Sequence, residues 1–598
     1  MTSFRDLNKN GRIDPYEDPS RPLEERVEDL LSQMTLEEKA GMMFHNAIGM
    51  NPDGTLQEGT DGFDSLSTSD MVGTRLLNHF NVYEVAPPMQ MAEWYNRLQR
   101  LAESTRLGIP VTLSSDPRHA FTDNPATSWF AGSFSMWPEP IGLAATGDPA
   151  LVREFADIAR QEYLAVGIRT ALHPMADLAT EPRWARIGGT FGEDAELSSQ
   201  MTAAYIRGFQ GDTLGPESVA CMTKHFPGGG PQKDGEDPHF PYGREQVYPG
   251  DNFDYHLPPF EAAFEAGTAQ IMPYYGMPVG TPLEEVAFGF NKDVVTTLLR
   301  EKYGFEGVVC TDWGLLTDHK IGEEVLVARA WGVEHLRTPE RARKALEAGV
   351  DQFGGEACPD VIVELVRSGQ VSEARIDESA RRLLRDKFRL GLFDNPYVNP
   401  DEAERVVGNP TFRAAGERAQ RKSIVLLKNG ATSGGAILPL QGKPKLYVEN
   451  LSPDVANEYG QVVERIEDAD LAILRLKAPY EYRDWGFLDR LFHAGDLDFK
   501  GEERERILGI LARVPTIVDI FLDRPAVIPE IAMQSAALLG NFGASDGALL
   551  DVIFGHISPS GKLPFEMPSS MEAVRRQKED VPYDSEDPLF RFGHGLTY

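Results

Sequence analysis

Cysteine is scarce in this sequence: three residues among 598, at Cys221, Cys310 and Cys358. Three thiols cannot build a disulfide framework for a chain of this length. Two of them sit inside the apolar runs VACMT and VVCTD and read as small buried hydrophobes. No window approaches the roughly 18 uninterrupted apolar residues of a membrane span. The opening MTSFRDLNKNGR lacks the apolar stretch of a signal peptide, so the expectation is a cytoplasmic protein, or a secreted or periplasmic one if a leader has been removed. Positive charge is also short. Lys and Arg number 59 against 92 Asp and Glu, a formal net charge of −33. Such an acidic surface repels phosphate backbones and anionic headgroups, which argues against nucleic acid and membranes as partners. It does not repel neutral ligands such as sugars. A homodimer stays open.

Apolar residues are plentiful at 41 %, enough for a folded core, and the length suits two or three domains. Short extended runs alternate with helical stretches. The runs are 110–114 (PVTLS), 169–173 (RTALH), 218–223 (SVACMT), 269–275 (AQIMPYY) and 307–311 (GVVCT). Helical spacing marks 21–45, 149–165, 195–209, 257–267, 292–303 and 338–348. Continuous apolar strands alternating with helices predict a parallel α/β sheet. Around 389–412 the proline-rich RLGLFDNPYVNPDEAERVVGNP breaks both periodicities and reads as a linker. A second α/β block follows, with strands expected at 423–429, 471–477, 515–523 and 536–542.

The strands of the first block end in chemically capable residues. PVTLSSD ends in Asp116, SVACMTKH in Lys224 and His225, AQIMPYY in Tyr274 and Tyr275, and GVVCTDWG in Asp312. In a β/α barrel the carboxyl ends of the strands converge on one site. Asp312 is the candidate nucleophile, because Thr311 offers a hydroxyl, Trp313 an aromatic wall, and Lys224 with Arg183 or Arg186 would keep it ionised. Its alternative reading is a cap on the next helix.

The runs KHFPGG (224–229), GFEGVVCTDW (304–313) and EPRWAR (181–186), with the tail SGKLPFEMP (560–568) and FRFGHGLTY (590–598), resemble the retaining β-glycosidases of glycoside hydrolase family 3. The resemblance spans about residues 22–598. It implies a TIM-like (β/α)8 barrel followed by an α/β sandwich. The expected division is an amino-terminal arm at 1–20, a barrel at 21–395, a linker at 396–412 and a sandwich at 413–598. It implies Asp312 as nucleophile, and Asp116, Arg183, Lys224, His225 and Tyr275 as substrate-binding residues, with Trp313 as a wall for the sugar ring. Vicinal hydroxyls both donate and accept, so a carboxylate among cationic donors suits them.

The acid/base is less plainly marked. Family β-glucosidases carry a G-E-G-x-D-R-like segment after a strand of the second domain. Here LAILRLK is followed by APYEYRDW, which places Glu481 at that glutamate with tyrosines for the glycines. Glu502 and Glu503 are rivals, although EERER reads as a solvated helical face. The hexosaminidase branch of the family uses a D-S-H loop after K-H-F-P-G-H-G. Here the later pairing is Asp237-Pro238-His239, so His239 is that branch's candidate. The resulting expectation is an exo-acting β-glucosidase that works through a covalent glycosyl-enzyme and needs no catalytic cofactor. The alternatives are a β-xylosidase, a β-N-acetylhexosaminidase, or a non-catalytic sugar-binding protein on the same fold.

One motif stands apart. Residues 6–17, DLNKNGRIDPYE, place Asp6, Asn8, Asn10, Gly11, Arg12, Asp14 and Glu17 at positions 1, 3, 5, 6, 7, 9 and 12 of an EF-hand loop. The expectation is a structural Ca²⁺ held by Asp6, Asn8, Asn10, the Arg12 carbonyl, Asp14 and Glu17. The alternative is an Asx-rich turn without an ion.

Overall fold

The computed structural model describes residues 5–59, 66–321, 324–430 and 435–598; residues 1–4 of the expected arm lie outside them. Eight short parallel strands follow one another in space as in sequence. They are β1 (Phe44–Ile48), β2 (His79–Val82), β3 (Thr112–Ser115), β4 (Ile168–Ala171), β5 (Ala220–Phe226), β6 (Gln270–Pro273), β7 (Val308–Val309) and β8 (Phe353–Gly354). β8 pairs with β1, and a parallel bridge between Cys310 and Gln352 joins β7 to β8 and closes the ring. Helices lie between successive strands, among them Pro88–Ser104, Pro149–Val166, Ala195–Gln210, the π-helix Asp293–Lys302 and Thr338–Ala348. This is the (β/α)8 barrel that the sequence led us to expect.

The apolar runs correspond to β3 through β7. Residues 21–45 differ from expectation. They form helices Leu23–Gln33 and Leu36–Met42, and the chain then turns into β1. The break is local: Thr35 accepts a hydrogen bond from Glu38 N and starts a new helix. β1 and β2 escape a hydrophobicity reading because His45, Asn46, His79 and Asn81 are polar yet buried. His45, His79 and Asn81 share the face turned to a polar barrel interior, where His45 Nε2 meets Ser114 Oγ at 2.7 Å, while Asn46 on the other face donates to Met71 Sδ. At the amino-terminal mouth, Lys387 of the closing helix Glu373–Arg389 donates to the carbonyls of Asn78 and Pro110 and to Thr112 Oγ1. Nearer the carboxyl ends, Leu172, Met222, Met272 and Cys310 pack as one apolar layer.

Residues 396–412, expected as a linker, hold helix Pro400–Val406, capped by Asn399, and the start of helix Pro410–Ser423, capped by Asn409. The second sheet runs β9 (Val425–Asn429), β10 (Lys445–Glu449), β11 (Gln461–Val462), β12 (Leu471–Lys477), β13 (Thr516–Phe521) and β14 (Ala537–Asn541), in the spatial order 9-14-13-12-10-11. All pairs are parallel except β9 with β14. Alternation along β12 sorts side chains to two cores. Leu471 and Ile473 face the sheet's own helices, whereas Ala472, Leu474 and Leu476 join the cluster that continues into the barrel.

The tail motif forms the seam between the domains. Lys562 N donates to Ala145 O, and Glu193 of the barrel accepts from Glu566 N and Tyr583 N. Asp580 accepts from Gly250 N and Asn252 N at 2.7 and 2.9 Å. This seam sets the second domain over the carboxyl ends of the barrel strands.

Candidate active site

Asp312 follows β7 and is 7 % exposed. Its Oδ1 accepts from Trp313 N at 2.8 Å, a tight local turn rather than a helix cap. Its Oδ2 is buried without a hydrogen-bond partner among the described residues, and the His225 imidazole Nε2 lies 3.9 Å away. A buried carboxylate oxygen left free is costly in a finished fold, and such atoms gather where chemistry is done. Tyr275, at the end of β6, donates to Trp313 O at 2.7 Å; burial and the Asp312 carboxylate push its pKa well above the usual phenol value.

From β5, Lys224 Nζ donates to Asp116 Oδ1 at 3.0 Å, and Asn81 Nδ2 of β2 donates to Oδ2 at 3.0 Å. His225 lies between Asp177 and Arg186. Arg186 Nη1 reaches His225 Nε2 at 3.0 Å, and a guanidinium can only donate, so Nδ1 carries the ring proton and donates to Asp177 Oδ2 at 2.9 Å. Burial, then the Arg186 charge, pulls the His225 pKa well below its ordinary value. Burial raises the Asp177 carboxyl to about 6, opposed by the Gly229 amide and Arg186.

Arg183, expected to bind substrate, is held in a two-pronged pair with Glu181 at 2.7 and 3.0 Å and lies beside Asp234. Arg186 of the same EPRWAR run enters the pocket in its place. Trp184 is fully buried and donates from Nε1 to Asp237 Oδ2 at 3.0 Å. Trp313 is half-buried and packs over Gly354 and Gly355, where a Cβ on either would come within 2.7 Å of the indole.

Glu481, expected as the acid/base, lies on the surface with its side chain 47 % exposed and Lys500 Nζ on Oε1 at 2.9 Å. Its backbone pairs with Ala494, and none of its contacts belongs to the Asp312 pocket. Glu502 and Glu503 stand exposed on the first turn of helix Gly501–Leu511, with Glu503 held by Arg506. His239 is different. It is buried, and its Nδ1 meets Asp237 Oδ1 at 2.6 Å. Its ring stands 4.8 Å from that of Tyr275 and 4.9 Å from that of Phe492, which the second domain lowers onto the barrel mouth. Its Nε2 has no partner among the described residues. Burial raises the Asp237 carboxyl, but the His239 ring and Arg186 outweigh it and hold the pKa at about 2. Burial lowers the His239 pKa below its ordinary value, with Asp237 pulling the other way. A cavity of about 1090 Å³ opens between the domains beside this pocket, bordered by Arg186, Lys224, Phe492 and His493.

The EF-hand-like loop closes on its own hydrogen bonds. Asp6 accepts from Asn10 N and Gly11 N, and Glu17 accepts from the amides of Leu7, Asn8 and Asp14. Asn8 and Asn10 turn their amides to Asp14 Oδ2, Arg12 N donates to Asn10 Oδ1, and Gly11 sits at φ +78°. Among the described residues no group of three or more His, Cys, Asp or Glu side chains is placed to hold a metal ion.

Two family models cover the chain, the glycosyl hydrolase family 3 N-terminal domain over residues 65–385 and the family 3 C-terminal domain over 449–598. The chain belongs to glycosyl hydrolase family 3. Beta-glucosidase C of Emericella nidulans is 53 % identical over 600 residues, covering 99 % of this chain and 95 % of that protein. The periplasmic beta-glucosidase/beta-xylosidase of Dickeya chrysanthemi is 43 % identical, covering 100 % and 93 %. The structure of a β-glucosidase from Erythrobacter marinus matches with a TM-score of 0.78 at 23 % identity, covering 98 % of this chain and 84 % of that one, which shows the shared fold. As a family 3 hydrolase, the chain carries two pocket residues that sequence reading passed over. Asp177 stands in PMAD just beyond β4, where the strand-end rule applied to the other strands would have found it. Arg329 stands over the Tyr275 ring with Cζ 5.8 Å from its centre, 17 residues beyond Asp312 and after the antiparallel strands His319–Ile321 and Glu324–Leu326, with no local signal. Among the described residues no helix is long and apolar enough to cross a membrane.

Proposed function

We propose that this chain is a retaining, exo-acting β-glucosidase. The observation that carries the reading is Asp312: a carboxylate with one free, buried oxygen, facing a pocket of sugar-binding groups. Asp116 with Lys224, and Arg186 with His225, supply the acceptors and donors that sugar hydroxyls need. Asp312 attacks the anomeric carbon, the aglycone leaves, and water then releases glucose with its configuration kept. Loops of the second domain close over the barrel mouth, which suits a chain end rather than a chain interior. The names of the Emericella and Dickeya relatives support a glucoside as substrate. Hydrolysis of an aryl β-glucoside tests the reading, and a silent wild type against aryl β-glucosides and β-xylosides would leave the binding-protein alternative. The Dickeya relative's name favours a second activity on xylosides, read in the same assay as the glucoside-to-xyloside ratio.

The acid/base in this proposal is His239. What supports it is the pairing with Asp237, the unpartnered Nε2 and the nearness to Tyr275, against the exposed, Lys500-bound Glu481. Asp237 fixes the ring through Nδ1, so Nε2 is the atom that gives and takes the proton.

The Asp6–Glu17 loop is proposed to take one structural Ca²⁺, supported by its spacing and by Gly11 at the sharp turn. At 100 times the dissociation constant such an ion stabilises by about 2.7 kcal/mol, so chelation is expected to lower the Tm by a few degrees. An unchanged Tm in chelator would show a turn held by its own hydrogen bonds.

A further inference from the structure

Six arginines among the described residues are buried: Arg26, Arg118, Arg169, Arg186, Arg329 and Arg524. Five have evident partners. Arg26 holds Asp394, and Arg186 holds His225. Arg118 donates to Ser115 Oγ and two carbonyls, while Arg169 and Arg524 each donate to three or more carbonyls. Arg329 is 5 % exposed, and its guanidinium makes no ion pair or hydrogen bond among the described residues. Buried guanidinium groups are normally paired, so one left unpaired beside a pocket is waiting for a ligand.

Its surroundings place that ligand. Arg329 N donates to Gly314 O at 2.8 Å, two residues beyond Asp312. Its Cζ lies 5.8 Å above the Tyr275 ring, and Gly314, at φ +73°, leaves room where a Cβ would stand 3.0 Å from Nη1. Tyr275, beneath the guanidinium, donates to Trp313 O, the residue next to Asp312, so Arg329 stands on the Asp312 side of the pocket. Asp116 is already matched by Lys224. Asp312 Oδ2 and Arg329 Nε are both buried without a hydrogen-bond partner among the described residues.

We propose that Arg329 is a substrate-binding residue that donates to one hydroxyl of the glucosyl unit being transferred. This rests on the β-glucosidase reading above. A rigid guanidinium set on Tyr275 and Gly314 supplies a charged donor whose loss leaves one sugar hydroxyl unpaired. It deepens the specificity of the pocket without moving a proton or an electron.

Arg329→Gln and Arg329→Lys, checked for folding by circular dichroism, are assayed against aryl β-glucosides that are intact or deoxygenated at C2, C3, C4 or C6. Both variants are expected to lose roughly ten- to hundredfold in kcat/KM on the intact glucoside, the scale of a charged hydrogen bond. For one deoxy substrate the loss should shrink to within about threefold, because the contact is already absent there. A loss equal on all four deoxy substrates, or no loss at all, overturns the proposal, since a merely structural Arg329 would not single out one hydroxyl. Glucose binding is measured by calorimetry in parallel. A wild type silent on every glycoside would defeat the β-glucosidase reading, while glucose affinity unchanged in the variants would separately defeat the contact. If Arg329→Gln fails to fold, Arg329→Lys carries the comparison.

Discussion

Asp312→Asn is expected to cut kcat on an aryl β-glucoside by at least about 10⁴-fold, the scale of losing a catalytic nucleophile. The amide matches the carboxylate in shape, so the loss would come from chemistry. Its Tm should stay level or rise, because the wild-type Oδ2 is buried without a partner and a neutral group removes that strain on the fold. Asp312→Gly should recover turnover with azide, which can enter from the vacated face. A single displacement from that side would yield the α-glucosyl azide from a β-glucoside. Recovery giving the β-azide would place the missing group on the other face and assign Asp312 another role.

His239→Ala is expected to slow substrates with poor leaving groups by roughly 10²- to 10⁴-fold, the usual share of general acid–base catalysis. Dinitrophenyl glucosides should suffer less in the first step, since their leaving group needs no proton. Azide should restore turnover and give the β-glucosyl azide. The pH profile gives an independent reading. The acid must be protonated to act, so kcat/KM falls as pH rises through its pKa. Burial lowers the His239 pKa, against the pull of Asp237, so the high-pH limb should lie below that of an ordinary imidazole and vanish in His239→Ala. Glu481→Ala should leave rates within about twofold, as expected for an exposed ion pair. The azide pattern appearing in Glu481→Ala instead would return the role to that residue.

The barrel was legible in its apolar strands, and the buried carboxylate Asp312, proposed above as nucleophile, in the ends of those strands. The sequence did not carry β1 and β2, whose polar residues are buried only because the barrel closes around Lys387 and its carbonyl acceptors. Choosing between Arg183 and Arg186 needed coordinates, because both lie in one short run and only the Glu181 pair shows which is already occupied. The motif with tyrosines in place of glycines pointed to Glu481, which the structure leaves exposed on Lys500. The Asp237–His239 pair was visible, but its meaning depended on the second domain bringing Phe492 down on it. Arg329 left no trace in the sequence, since its significance is the absence of a partner. The net charge of −33 says little about the pocket, where Lys224 pairs with Asp116 and Arg186 stands among Asp177, Asp237 and Asp312.

Trapping the covalent intermediate tests the central claim most directly. The wild-type chain is incubated with a β-glucosyl fluoride carrying fluorine at C2, which slows release of the sugar from the enzyme. It is then digested with protease and its peptides are weighed. One fluoroglucosyl group is expected on the peptide holding Asp312, and none in Asp312→Asn. A label on another carboxylate, or turnover with no label and an inverted product, would contradict that claim.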